Sequence, residues 1–96
     1  MMSGVVTQLL PDDTQGLPHQ HFLYRGTDGR IYKVAHNTEL APKAPVKVGD
    51  KVNFKGELVK SKPYDIMHWT HWNPNGGEGG YIELNGKRYD KIPGSH

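Results

Sequence analysis

Gly49-Asp50-Lys51-Val52-Asn53-Phe54-Lys55-Gly56-Glu57-Leu58-Val59 is the stretch that decides the fold. Val52, Phe54 and Leu58 fall on alternate positions, with Lys51, Asn53, Lys55 and Glu57 between them. An extended backbone sends successive side chains to opposite faces, so this pattern describes a strand with one face in a core and the other in water. Gly56 interrupts the apolar row, as a bulge or a bend in a curved wall does. Gly49-Asp50 supplies the turn that leads in.

The same texture recurs outward in both directions. Residues 4–10 (GVVTQLL) are rich in strand formers and stop at Pro11-Asp12-Asp13. In residues 19–25, His19, His21 and Leu23 alternate with Gln20, Phe22 and Tyr24. The turn Gly26-Thr27-Asp28-Gly29 leads into 30–37, where Tyr32, Val34 and His36 share a face opposite Ile31, Lys33, Ala35 and Asn37. Residues 38–48 hold two prolines and read as a long connection with at most one helical turn near 39–41. Residues 60–65 read as a loop and 66–72 as a strand. Residues 81–84 and 87–92 form a hairpin around Asn85-Gly86, a pair suited to the type I′ turn.

No segment keeps a helical period, and turn signals recur at short intervals. The expectation is therefore all-β: a small antiparallel, partly closed barrel of six or seven short strands, similar to the oligonucleotide/oligosaccharide-binding (OB) fold. Ninety-six residues, 34% of them hydrophobic, suffice for one core, placed at residues 4–92 with 93–96 as a disordered tail. With no cysteine there are no disulfides and no thiolate metal sites. A formal charge of +2 permits an anionic ligand without requiring one. The opening Met1-Met2-Ser3-Gly4 has no basic or long apolar run, so a cytoplasmic protein without membrane contact is expected.

Chemistry concentrates in His68-Trp69-Thr70-His71-Trp72, with His19, His21 and His36 upstream. Imidazole exchanges protons near neutral pH and also binds metals. Leu10-Pro11-Asp12-Asp13, Gly16, His19-Gln20 and Phe22 form one group of linked features. Ala35-His36-Asn37, Leu40-Ala41-Pro42, Gly49-Asp50, Gly56-Glu57 and His68-Trp69-Thr70-His71 complete the set. Together they resemble an uncharacterised family of small bacterial proteins marked by an HWTH motif. The resemblance implies a shared fold and site and supplies no activity.

His36-Asn37-Thr38 and His68-Trp69-Thr70 repeat the pattern His-x-Thr, which on a strand places an imidazole and a hydroxyl on one face. Such paired elements resemble the motif of the two-histidine phosphoesterases, which work without metal. The favoured reading is a metal-independent phosphodiesterase or nuclease acting on RNA, single-stranded DNA or cyclic nucleotides, with no cofactor. His36 and His68 are the acid–base pair, His19 or His71 completes the site, and Thr70 and Asn37 hold the phosphate. Trp69 and Trp72 offer stacking faces, and Asp13 orients a histidine.

Two other classes compete. Non-catalytic binding of a nucleotide or oligonucleotide would use the same aromatics with a rim of lysines. A metal-dependent hydrolase would use His68-x-x-His71 and His19-x-His21 as ligands, although residues 68 and 71 fall on opposite faces of a regular strand. Plainer roles are weighed beside these. His36, sharing a face with Tyr32 and Val34, suits a hydrogen-bonded core position. His21 suits packing better than His19 does, and the alternating lysines suit a solvated face.

Overall fold

Each alternating segment becomes strand in the computed structural model, which describes residues 2–12, 18–73, 75 and 79–91. The strands are β1 (Met2–Leu9), β2 (His19–Gly26), β3 (Ile31–Asn37) and β4 (Lys51–Lys55). They continue with β5 (Glu57–Val59), β6 (Ile66–His68), β7 (Tyr81–Leu84) and β8 (Lys87–Arg88). All join one sheet in the order β5-β6-β3-β2-β1-β4-β7-β8. The count is eight rather than six or seven because Gly56 divides the segment 51–59 in two. Nor is the sheet wholly antiparallel: β3 and β6 run parallel, with β4 and β5 lying between them in the chain.

That order forces the sheet to curl. β5 and β4 are five strand spacings apart along it, roughly 24 Å if the sheet were flat. Only Gly56 separates Lys55 from Glu57, so their Cα atoms are at most ~7 Å apart. One continuous, kinked strand therefore draws the β5 edge back toward β4. The result is a curled open sheet, a half-barrel, with no helix among the described residues. Gly56 is obligatory at the kink, since a Cβ there would collide with the backbone oxygen of His68.

The concave face holds the core: Val6, Phe22, Tyr24, Tyr32, Val34, Val52, Phe54, Met67, Ile82 and Leu84. Tyr24 packs on Phe54 with ring centroids 4.4 Å apart, a separation at which aromatic pairs add to plain area burial. The connection 38–48 caps this core with Ala41, Ala44 and Val46, all buried. It is pinned by Gln20, whose amide donates to Ala44 O (2.7 Å) and accepts from Ala44 N (2.9 Å). Its first turn is not helical; Asn37 Oδ1 accepts the amides of Glu39 and Leu40 instead. Leu58 shares the inner face with its partner Met67, yet stays 41% exposed because an edge strand has a neighbour on one side only. Asn85 and Gly86 both take positive φ (55° and 80°), as a type I′ turn demands.

Candidate functional site

The register gathers histidines on the outer face of the sheet, away from the core. His21 pairs with Ala35 across β2–β3, and Val34 with Met67 across β3–β6. One step further along β6 places His68 beside Ala35, and His68 pairs in turn with Glu57 of β5. Four strands thus carry the row His21, Ala35, His68, Glu57, with His19 two residues before His21. Ala35, between His21 and His68 in this row, contributes only a methyl group. The His19 and His21 rings stack with centroids 6.0 Å apart, and His19 meets His68 edge-to-face at 6.5 Å. Partial burial lowers the His68 pKa, the nearby His19 lowers it further, and Glu57 opposes both.

The next outward-facing row along these strands is Leu23, Lys33 and Ile66. Beside it opens a hollow of about 400 Å³, lined also by Leu10, Lys62 and Tyr64. On the other side of His68, a cleft of about 370 Å³ lies among Lys55, Gly56, Glu57, Trp69 and Gly79.

His36 is placed elsewhere. It belongs to the core face and is 0% exposed, so it does not confront His68 across a shared ligand. Its Nε2–H donates to the Pro42 carbonyl (3.0 Å), which leaves Nδ1 as acceptor for the Thr70 hydroxyl (2.7 Å). Desolvation pushes its pKa down to about 4, against a smaller raising effect of the Pro42 hydrogen bond. His36 and Thr70 were expected together and are together, but as a sealed, neutral pair.

The reason is Trp69. It adopts φ 61°, ending β6 at His68 and turning the following residues inward. Strand parity beyond His68 is lost, so His68 and Thr70 do not share a face. Instead the run 69–72 works as a clasp. Thr70 reaches His36, and the Trp72 indole donates to Leu40 O (3.1 Å). The Trp72 amide donates to Asp90 O (2.7 Å), and Gly80 N donates to His71 O (2.8 Å). His71 is itself buried and gives its Nδ1–H to Trp72 O (2.7 Å).

Of the remaining candidates, Asn37 is buried and occupied in capping the turn after it, so it does not present its side-chain oxygen to a ligand. Trp69 is 40% exposed with its ring 4.6 Å from that of His71. Trp72 lines a cleft of about 300 Å³ with Lys55, Gly79, Tyr81, Arg88 and Asp90. Asp13 lies outside the described residues, as does the tail 93–96. No group of three or more potential ligands is poised for a metal ion among the described residues.

Sequence reasoning gave no role to Glu57 and Ala35, and it ranked His21 as packing. The parity that put His19 and His21 on one face was visible. The strand pairing that brings Ala35 and Glu57 beside them was not, because it depends on β6 joining β3 in parallel across 33 residues of chain.

The fold and this face define a class: a small all-β protein with an imidazole cluster on the outside of a curled sheet and an aromatic, cationic cleft beside it. Over residues 2–90 the chain matches the family described as protein of unknown function (DUF3465), and it belongs to that family. No curated protein and no solved structure matches it.

Proposed function

We propose that the chain is a metal-independent phosphodiesterase whose acid–base pair is His68 and His19. The observation that carries this reading is the meeting of those two rings, edge-to-face at 6.5 Å, with one hollow lined by Ile66 of the same strand and another by Glu57 and Trp69, the neighbours of His68. Hydrogen bonds of about 2.8 Å from two imidazoles can reach different oxygens of one phosphate placed between them. His68, which desolvation keeps neutral at neutral pH, accepts a proton from water as the water oxygen bonds to phosphorus. His19 gives its proton to the leaving oxygen as the old P–O bond breaks. Glu57 faces His68 and favours the imidazolium formed there, while His21 flanks the donor. Lys33 and Lys62 line the adjoining hollow and complement a second negative charge. His36 and Thr70 keep the scaffold that holds this face.

The test uses bis(p-nitrophenyl) phosphate and labelled RNA and single-stranded DNA, with and without EDTA. Turnover should survive EDTA and fall by roughly 10²–10⁴ in His68→Ala and in His19→Ala, with a bell-shaped pH profile between about pH 5 and 8. Turnover that appears only on adding zinc would convert the histidines into metal ligands. Absence of turnover on every diester would leave the second reading, a non-catalytic nucleotide binder. The observation favouring that alternative is Arg88, whose guanidinium sits 4.1 Å from the Tyr81 ring centre in the Trp72 cleft. A likeness to OB barrels is part of both readings, since those sheets bind single strands on one face.

A further inference from the structure

The geometry points to an extended single-stranded nucleic acid, not a mononucleotide or a cyclic dinucleotide, as the ligand of this face. The inference rests on the phosphodiester reading above and adds the length and path of the substrate. Two clefts, of about 370 and 300 Å³, share Lys55 and Gly79 and so form one track. Its near end touches Glu57, the strand partner of His68, and Trp69, the next residue in the chain. Its far end lies between Trp72, Tyr81 and Arg88. On the other side of His68 lies the hollow with Lys33, Lys62 and Tyr64. A reacting phosphate at His68 would thus have room for ligand on both sides, which only a chain uses fully.

The lining suits such a chain. Trp69 is 40% exposed, and Trp72 and Tyr81 are half-buried, so ring surface remains accessible along the track. Cations accompany two of these rings, Arg88 at 4.1 Å from the Tyr81 centre and Lys91 at 5.3 Å from the Trp72 centre. Aromatic faces interleaved with cations are what unpaired bases and a phosphate backbone require. Gly80, in the lining of the far cleft, packs directly on backbone: a Cβ there would strike the carbonyl oxygens of Trp69 and Lys55. Asp90 also lines the far cleft and Glu83 pairs with Arg88 Nε (3.4 Å), so phosphates belong near Lys55 and the terminal nitrogens of Arg88, away from both carboxylates.

The experiment measures fluorescence anisotropy of the full chain with 5′-labelled oligothymidylates of about two to about ten nucleotides, using hydrolysis-resistant phosphorothioate backbones. Affinity should rise at least tenfold along the series and level off within the ~4–16 nucleotides typical of one small barrel. Tyr81→Ala should cost the longer oligomers roughly 5- to 150-fold, the worth of one stacked base, with a far smaller effect on the dinucleotide. Arg88→Ala should reduce the salt-dependence slope by about 0.7, one phosphate contact on a single strand. Asp90→Asn should tighten binding of the longer oligomers. Affinity independent of length, or equal binding of a duplex of the same sequence, would overturn the proposal. Separate hydrolysis of bis(p-nitrophenyl) phosphate keeps the two readings apart. Diester cleavage without length dependence rejects the track and leaves the acid–base pair, whereas length-dependent binding without cleavage supports the track and rejects the pair.

Discussion

His36 Nδ1 and the Thr70 hydroxyl satisfy each other inside the protein; both side chains are fully buried, so neither has water as a substitute. Thr70→Val keeps the shape and strands the Nδ1 lone pair, so it should cost about 1–3 kcal/mol in urea unfolding. His36→Ala opens a cavity as well and should cost about 3–5 kcal/mol. The same pair sets a pH dependence. Unfolded, His36 titrates near its ordinary 6.5; folded, burial holds it at about 4. Between those values the unfolded chain binds more protons, so stability is fully present above pH 6.5 and is lost as pH falls toward 4. The loss is on the order of 3 kcal/mol. Unfolding midpoints of wild type and His36→Gln between pH 7 and 4.5 check this: the wild-type curve should fall the more steeply. His68, whose pKa is also lowered, leaves a residual slope of the same sign in the variant. The alternation of residues 31–37 was enough to seat His36 with Tyr32 and Val34. Its partner was hidden, because nothing in the identity of Trp69 announces φ 61°, a region that favours glycine or asparagine.

Strands were legible wherever a period of two ran unbroken, as in β2, β3 and β4. The end of β6 was not, and the assignment of Thr70 to the same face as His68 failed with it. Gly56 lies between these cases: the sequence marks it as an interruption, while its necessity comes from the His68 backbone crossing behind it. Gly56→Ala should therefore cost about 1–3 kcal/mol through overpacking against a carbonyl that cannot swing away. It should also lower diester turnover, because the β5–β6 pairing that sets Glu57 against His68 shifts with it. Gly86→Ala is the contrast. No atom lies within 4 Å of the added methyl, so only the cost of φ 80° remains, about 1 kcal/mol, with turnover unaffected. Urea titration and diester hydrolysis on both variants separate the two causes.

The half-barrel itself was only partly readable. An all-β chain with short strands and an Asn-Gly hairpin follows from local pattern. The parallel β3–β6 pair and the eight-strand order depend on contacts between distant segments, for which a single sequence carries no local sign. The join through Gly56 has a further result, in the exchange of backbone amides. By hydrogen bonding β5 is an edge, and edge strands ordinarily fray and exchange early. By covalent continuity it extends β4, which is paired on both sides by β1 and β7. Detaching β5 means bending a strand anchored in the middle of the sheet. Amides of β5 and β6 should accordingly exchange with deuterium nearly as slowly as those of β4. Those of β8, two residues long and held by β7 alone, should exchange first. The two ends of one sheet would then differ in lifetime, and a single residue would be the cause.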